Sequence, residues 1–208
     1  MEDVGVQPGD LPTLVASRIC HDLISPLGAI GNGVELLGLD GGAPAAELAL
    51  VSESVANASA RLRFFRIAFG HARPGQTAAP GELGPVLADL GRAGRISYEW
   101  QVSAPVPRTD AKVAFLSILC LESALPYGGV VRVVQDDTGW TAAARGRGMR
   151  FDPDLWGFLR RAGAALAPSG PGRVEAAEVQ FPVLSGELLA QHRGMAIELG
   201  EDEARLRF

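Results

Sequence analysis

Apolar residues recur twice at intervals of three and four in the first third of the chain. The first set is Ala16, Ile19, Leu23, Leu27, Ile30, Val34 and Leu37; the second is Leu48, Val51, Val55, Ala58, Leu62, Phe65 and Phe69. Such spacing lines each set along one face of a helix that turns once every 3.6 residues or so, which is about 100° per residue. Asp10 is suited to cap the first helix, and Pro12 to its first turn, where a missing N–H costs nothing. Between the sets, residues 38–44 read Gly-Leu-Asp-Gly-Gly-Ala-Pro, a glycine-rich stop followed by a proline that restarts a helix. Two long amphipathic helices joined by a short turn fold back as an antiparallel hairpin. A hairpin alone has a stripe and little to bury it against. A second copy is the simplest solution, giving a dimeric four-helix bundle. The alternative is that the C-terminal half covers the stripe.

The pattern changes after residues 74–81, Pro-Gly-Gln-Thr-Ala-Ala-Pro-Gly, which read as a linker. The expected division is a helical hairpin over 1–74 and a second domain over 75–208. Within the second, helices are expected at 81–92, 109–125 (capped by Thr109 or Asp110), 152–161 and 183–192. Strands are expected at 96–102, 130–135, 139–144, 195–199 and 204–208. That half is α+β, with a mixed or antiparallel sheet under helices.

Composition narrows the class of function. With 47% apolar residues the chain can build a core, and with a net charge of -5 it lacks the basic surface of a nucleic-acid binder. Two cysteines far apart, Cys20 and Cys120, suit free thiols in a reducing compartment. No basic stretch followed by an apolar one opens the sequence, and no apolar run is long enough to span a bilayer. A cytoplasmic protein without a membrane partner is expected.

The chemistry-bearing pair is His21-Asp22, inside the first helix. Helical rotation puts His21 opposite the stripe, sharing an outer face with Arg18, Ser25, Gly28 and Asn32, with Asp22 at its flank. Small residues at 25 and 28 leave room for another protein to approach. Counting outward from Gly41 and Gly42 brings His21 level with Leu62 to Phe64 on the second helix. Arg63 and Phe64 are therefore expected beside it as a docking spot, unless Phe64 packs against the second domain. A carboxylate that holds one imidazole nitrogen as N–H leaves the other free as a nucleophile. Attack on phosphorus then needs mainly positioning and charge neutralisation. Cys20 and His21 do not form a catalytic dyad, because neighbouring side chains on a helix diverge. His71 and His192, near helix C-termini, read as structural.

His21-Asp-Leu-Ile-Ser-Pro-Leu27 resembles the H-box of two-component signalling proteins, at its usual address on the first helix of a hairpin. Pro26 fits that family, whose helix bends after the histidine. The second half resembles the ATP-binding domain of sensor histidine kinases in its order of elements, but departs from its boxes. Leu119 and Ser123 stand where two asparagines would serve Mg²⁺ and ATP. Ala144 replaces the adenine-reading aspartate, and residues 169–172 make a poor lid. A helical hairpin with a degenerate ATPase-like α/β sandwich is similar to the alphaproteobacterial histidine phosphotransferases of the ChpT type. The stretch from Arg18 to Pro26 and Arg66-Ile-Ala-Phe-Gly70 are also similar to that group.

That resemblance implies a phosphorelay in which His21 carries a phosphoryl group between receiver-domain aspartates, without ATP. The partners it implies are receivers of a hybrid histidine kinase and of response regulators. No cofactor of its own is implied, since Mg²⁺ would belong to the receiver. Three rival readings remain at this level: an active histidine kinase, a receiver phosphatase using Asp22 and Ser25, and a dimeric scaffold in which His21 is incidental.

Overall fold

The first periodic stretch forms one helix, α1 (Leu11–Leu39), in a computed structural model that describes residues 11–39, 45–92, 94–161 and 174–208. The expected Asp10 cap, the turn beyond residue 39 and the lid candidate at 169–172 lie outside the described residues. Helix α1 runs through Pro26, which is buried and shares a groove with Leu50 and Ser54 of the second helix, α2 (Ala45–Ala68). The two helices cross closely at Gly33. A Cβ there would lie 2.5 Å from Val51 Cγ2, so any larger residue must push that methyl aside. No helix among the described residues is long and apolar enough to cross a membrane.

The remaining elements are β1 (Thr77–Ala78), α3 (Pro80–Gly91), β2 (Ile96–Gln101), β3 (Val106–Pro107) and α4 (Arg108–Ser123). They are followed by β4 (Gly129–Asp136), β5 (Gly139–Arg145), α5 (Pro153–Arg161), α6 (Gln180–Ala190), β6 (Ala196–Leu199) and β7 (Glu203–Arg207). Five strands form a mixed sheet in the order β2-β4-β5-β7-β6, with β2 and β4 parallel and the other pairs antiparallel. Parallel neighbours require a crossover, and α4 supplies it. Strands β4, β5 and β7 alternate, with Val131, Val133, Trp140, Ala142, Ala144, Ala204 and Leu206 buried. Helix α4 is buried from Val113 to Leu121 without a break, as a helix packed on several sides must be. The sheet, α6 and α2 provide those sides.

Two local expectations change. Neither Thr109 nor Asp110 caps α4, which opens one residue earlier, at Arg108, after an uncapped Pro107. Asp110 instead accepts hydrogen bonds from Trp140 Nε1 (3.2 Å) and Arg193 Nη1 (2.6 Å). The stretch read as a linker is partly ordered into a sheet. Thr77 and Ala78 pair antiparallel with Pro107 and Val106, and Ala78 is fully buried.

The hairpin also shares its core with the second half. Phe64, Phe65 and Ala68 at the end of α2 join the cluster built around Phe115, and Ile19 and Phe69 pack against it. The apolar stripe is therefore divided. Its lower end is covered within the chain, whereas Leu27, Val34, Leu48, Val55 and Leu62 remain 46–57% exposed.

Candidate functional site

His21 projects from the middle of α1 with 86% of its side chain open to solvent. Its Nδ1 lies 3.2 Å from Asp22 Oδ1. Successive helix residues diverge by about 100°, so their contact uses the ring nitrogen closest to the backbone. Nε2 is left pointing away from that partner. Asp22 is much less exposed, at 12%, and its other oxygen is engaged elsewhere: Oδ2 accepts from Arg18 Nε at 3.1 Å, one helical turn back, and from Arg61 Nη1 of α2 at 3.4 Å.

Of the residues expected on the outer face, Ser25 and Gly28 are exposed. Ser25 lines a groove of about 410 Å³ with His21, Asp22, Pro26 and Ala29 of α1 and with Leu50, Glu53, Ser54, Asn57 and Arg61 of α2. A Cβ at Gly28 would meet nothing within 4 Å, so the surface above it is open.

The other three expectations are corrected. Arg18 turns inward: its side chain is 18% exposed, and its guanidinium also donates to the Ala177 carbonyl, in a single turn of 3-10 helix, Ala176–Glu178. Arg63 is directed to α3, where Nη2 meets Asp89 Oδ2 at 2.6 Å and does not line the His21 groove. Phe64 is not a docking aromatic but takes the alternative left open for it, packing against the second domain at 1% exposure with its ring 4.9 Å from that of Phe115. The physical reason is that α4 covers this side of α2; a helix-wheel projection of α2 alone assigns that side to solvent.

Arg61 is the residue to which the sequence analysis gave no part in the site. The signal was available. Equal counting from Gly41 and Gly42 sets Asp22 opposite Arg61, and a carboxylate facing an arginine across a hairpin is an expected ion pair.

Behind Asp22 lies a cavity of about 330 Å³, lined by Arg61, Phe64, Arg95, Tyr98, Leu119 and Glu122 among others. Tyr98 OH donates to Glu122 Oε1 at 2.7 Å. Burial raises the Glu122 carboxyl above its ordinary range, although the Tyr98 bond and the nearby Arg18 and Arg61 charges act against the rise. Burial, reinforced by Glu122, also raises the Tyr98 phenol.

The three positions expected to depart from the kinase boxes each have a structural place. Leu119 is buried and lines the cavity. Ser123 Oγ donates to Cys120 O of its own helix at 2.7 Å, so its hydroxyl proton is already used. Ala144 is buried in β5 opposite Ala204. Cys120 is a buried thiol, raised well above its ordinary range by that burial, and Cys20 is exposed.

The chain is similar to known proteins in sequence and in fold. Residues 80–205 match the family model described as the histidine phosphotransferase C-terminal domain. Over 196 residues, 91% of this chain and 90% of the relative, the sequence is 36% identical to protein phosphotransferase ChpT of Brucella abortus (strain 2308). The fold is similar to a solved bacterial phosphotransferase, with a TM-score of 0.74 and 32% identity over 98% of this chain and 97% of the other. An exposed histidine beside a shielded aspartate on a helical hairpin, set against an α/β sandwich with these sequence relatives, makes this chain a member of the ChpT-type histidine phosphotransferases.

Proposed function

We propose that His21 is the phosphoacceptor of this histidine phosphotransferase and that it shuttles a phosphoryl group between receiver-domain aspartates. The observation that carries the reading is the 3.2 Å approach of Asp22 Oδ1 to Nδ1 of a histidine that is 86% exposed. With its proton on Nδ1 donated to Asp22, the imidazole presents the Nε2 lone pair to solvent. In transfer, an Nε2–P bond forms as the acyl phosphate O–P bond of the donor receiver breaks, and the receiver regains its carboxylate. Positive charge developing on the ring is stabilised by Asp22, and no proton must leave Nδ1. Attack by the carboxylate of a second receiver on phosphorus reverses these steps.

Such transfer depends chiefly on alignment and charge neutralisation. Mg²⁺ belongs in this reading to the receiver, and the chain contributes no cofactor of its own. Ser25 and Gly28 offer a low surface next to His21, and the α1–α2 groove admits a loop of the partner. The relay runs in the cytoplasm, between receivers of a hybrid kinase and of response regulators, and involves neither nucleic acid nor membrane. ATP is not used, because Leu119 and Ala144 have no polar side-chain atom and the Ser123 hydroxyl is bonded within α4. The exposed remainder of the hairpin stripe is covered by a second copy.

The test is phosphoryl transfer from a phosphorylated receiver domain to the wild type and to His21→Ala. Acid-labile label on the wild type and none on the variant is expected. An unlabelled wild type would sink the relay, and autophosphorylation from ATP alone would favour a kinase.

A further inference from the structure

The two oxygens of Asp22 have separate partners. Oδ1 faces His21 Nδ1, whereas Oδ2 takes both arginine contacts, from Arg18 along α1 and from Arg61 across the hairpin. A carboxylate bound to one partner can still turn about its terminal torsion, which is broad. Two guanidinium donors arriving at one oxygen from different helices restrict that torsion and leave the other oxygen directed at the imidazole. Arg18 is itself steadied from the second half of the chain, because it also donates to Ala177 O. Arg61 and Asp22 face Glu122 of α4 and Tyr98 of β2 across one cavity, which places both halves of the chain around the aspartate.

We propose that Arg18 and Arg61 are positioning residues, a two-sided clamp on Asp22 that holds His21 with its proton on Nδ1, so that the second half of the chain stabilises the nucleophilic tautomer. The proposal rests on His21 being the phosphoacceptor. It gives the ATPase-like half a duty at the phosphotransfer site that requires no nucleotide. Neither arginine touches phosphorus in this scheme; both act through Asp22.

Arg61 is the cleaner of the two to test, since it is 39% exposed and its replacement leaves no cavity in the core. Arg61→Gln and Arg61→Lys are compared with wild type in two measurements. The ¹⁵N shifts of the His21 imidazole, recorded on the full chain without any receiver, report the fraction protonated at Nδ1. Single-turnover transfer from a phosphorylated receiver, as a function of its concentration, reports rate and half-saturation separately. Arg61→Gln is expected to reduce the Nδ1-protonated fraction and slow saturated transfer by about 10–100-fold, the scale of a misplaced reacting group. Half-saturation stays near wild type, and Arg61→Lys recovers part of both losses. Unchanged imidazole shifts in Arg61→Gln would overturn the clamp, as would a loss confined to half-saturation, which would make Arg61 a receiver contact. If wild type takes no phosphate, the relay fails, and the receiver-free imidazole shifts still decide whether the clamp exists.

Discussion

Glu122 and Asp22 show how far the surroundings of one carboxylate can differ from those of another a short distance away. Asp22 sits between two guanidinium groups and an imidazole, whereas Glu122 is shielded by the core and bonded to a phenol. Burial dominates at Glu122, so its proton is held more tightly in the folded chain than in the unfolded one. Its contribution to stability is therefore full below the ordinary Glu range and is lost as pH rises through the folded value, which lies above 4.5. Glu122→Gln retains an oxygen for Tyr98 OH and removes the ionisation. Thermal melts from pH 4 to pH 8 should show the variant gaining on wild type as pH rises. If wild type keeps its advantage at pH 8, the Arg18 and Arg61 attraction outweighs burial. The histidine pair was legible from its residue types and helix position. The roles of Arg18 and Phe64 were not, because each is decided by a group more than 50 residues away in sequence: Ala177 for one, Phe115 for the other.

At the level of elements, the α1–α2 contact shows why the hairpin needs its small residues. Pro26, Ala29 and Gly33 fall along the side of α1 that meets α2, and at Gly33 a side chain would meet the Val51 methyl. Gly33→Leu would drive a branched side chain into Val51 and part the helices around the His21 groove. Overpacking of this kind destabilises by about 1–3 kcal/mol. A lower urea midpoint with an unchanged slope is the expected result, and an unchanged midpoint would mean that the crossing is looser than 2.5 Å implies. Most elements were readable from periodicity and turn residues, including the β4–β5 hairpin and α4. The pairing of β1 with β3 was not, since two-residue strands carry no period. What orders them is the burial of Ala78 and a backbone bond from Arg108 N–H to Gln76 O at 2.8 Å.

For the whole molecule, the apolar face left on the hairpin is the largest unresolved demand of the fold. Leu27, Val34, Leu48, Val55 and Leu62 are about half exposed, and a second hairpin laid against them would complete the proposed four-helix bundle. Sedimentation of the wild type should give twice the 21.8 kDa chain mass. Val55→Asp combined with Leu62→Asp should give a folded monomer, because burying two unpaired carboxylates at an interface is strongly unfavourable. A monomeric wild type at micromolar concentration would overturn the second copy.

The sequence by itself determined what local physics can encode. Apolar spacing specified two long helices, turn residues specified most of the later elements, and residue order set His21 beside Asp22 on the first of those helices. Tertiary structure alone decided which faces those helices bury, because burial depends on what arrives from elsewhere in the chain. Helix α4 buried Phe64, the turn at Ala177 drew Arg18 inward, and Arg61 crossed the hairpin to Asp22. Helical periodicity records that a side chain has an apolar or polar face, and only the folded chain records which partner meets it.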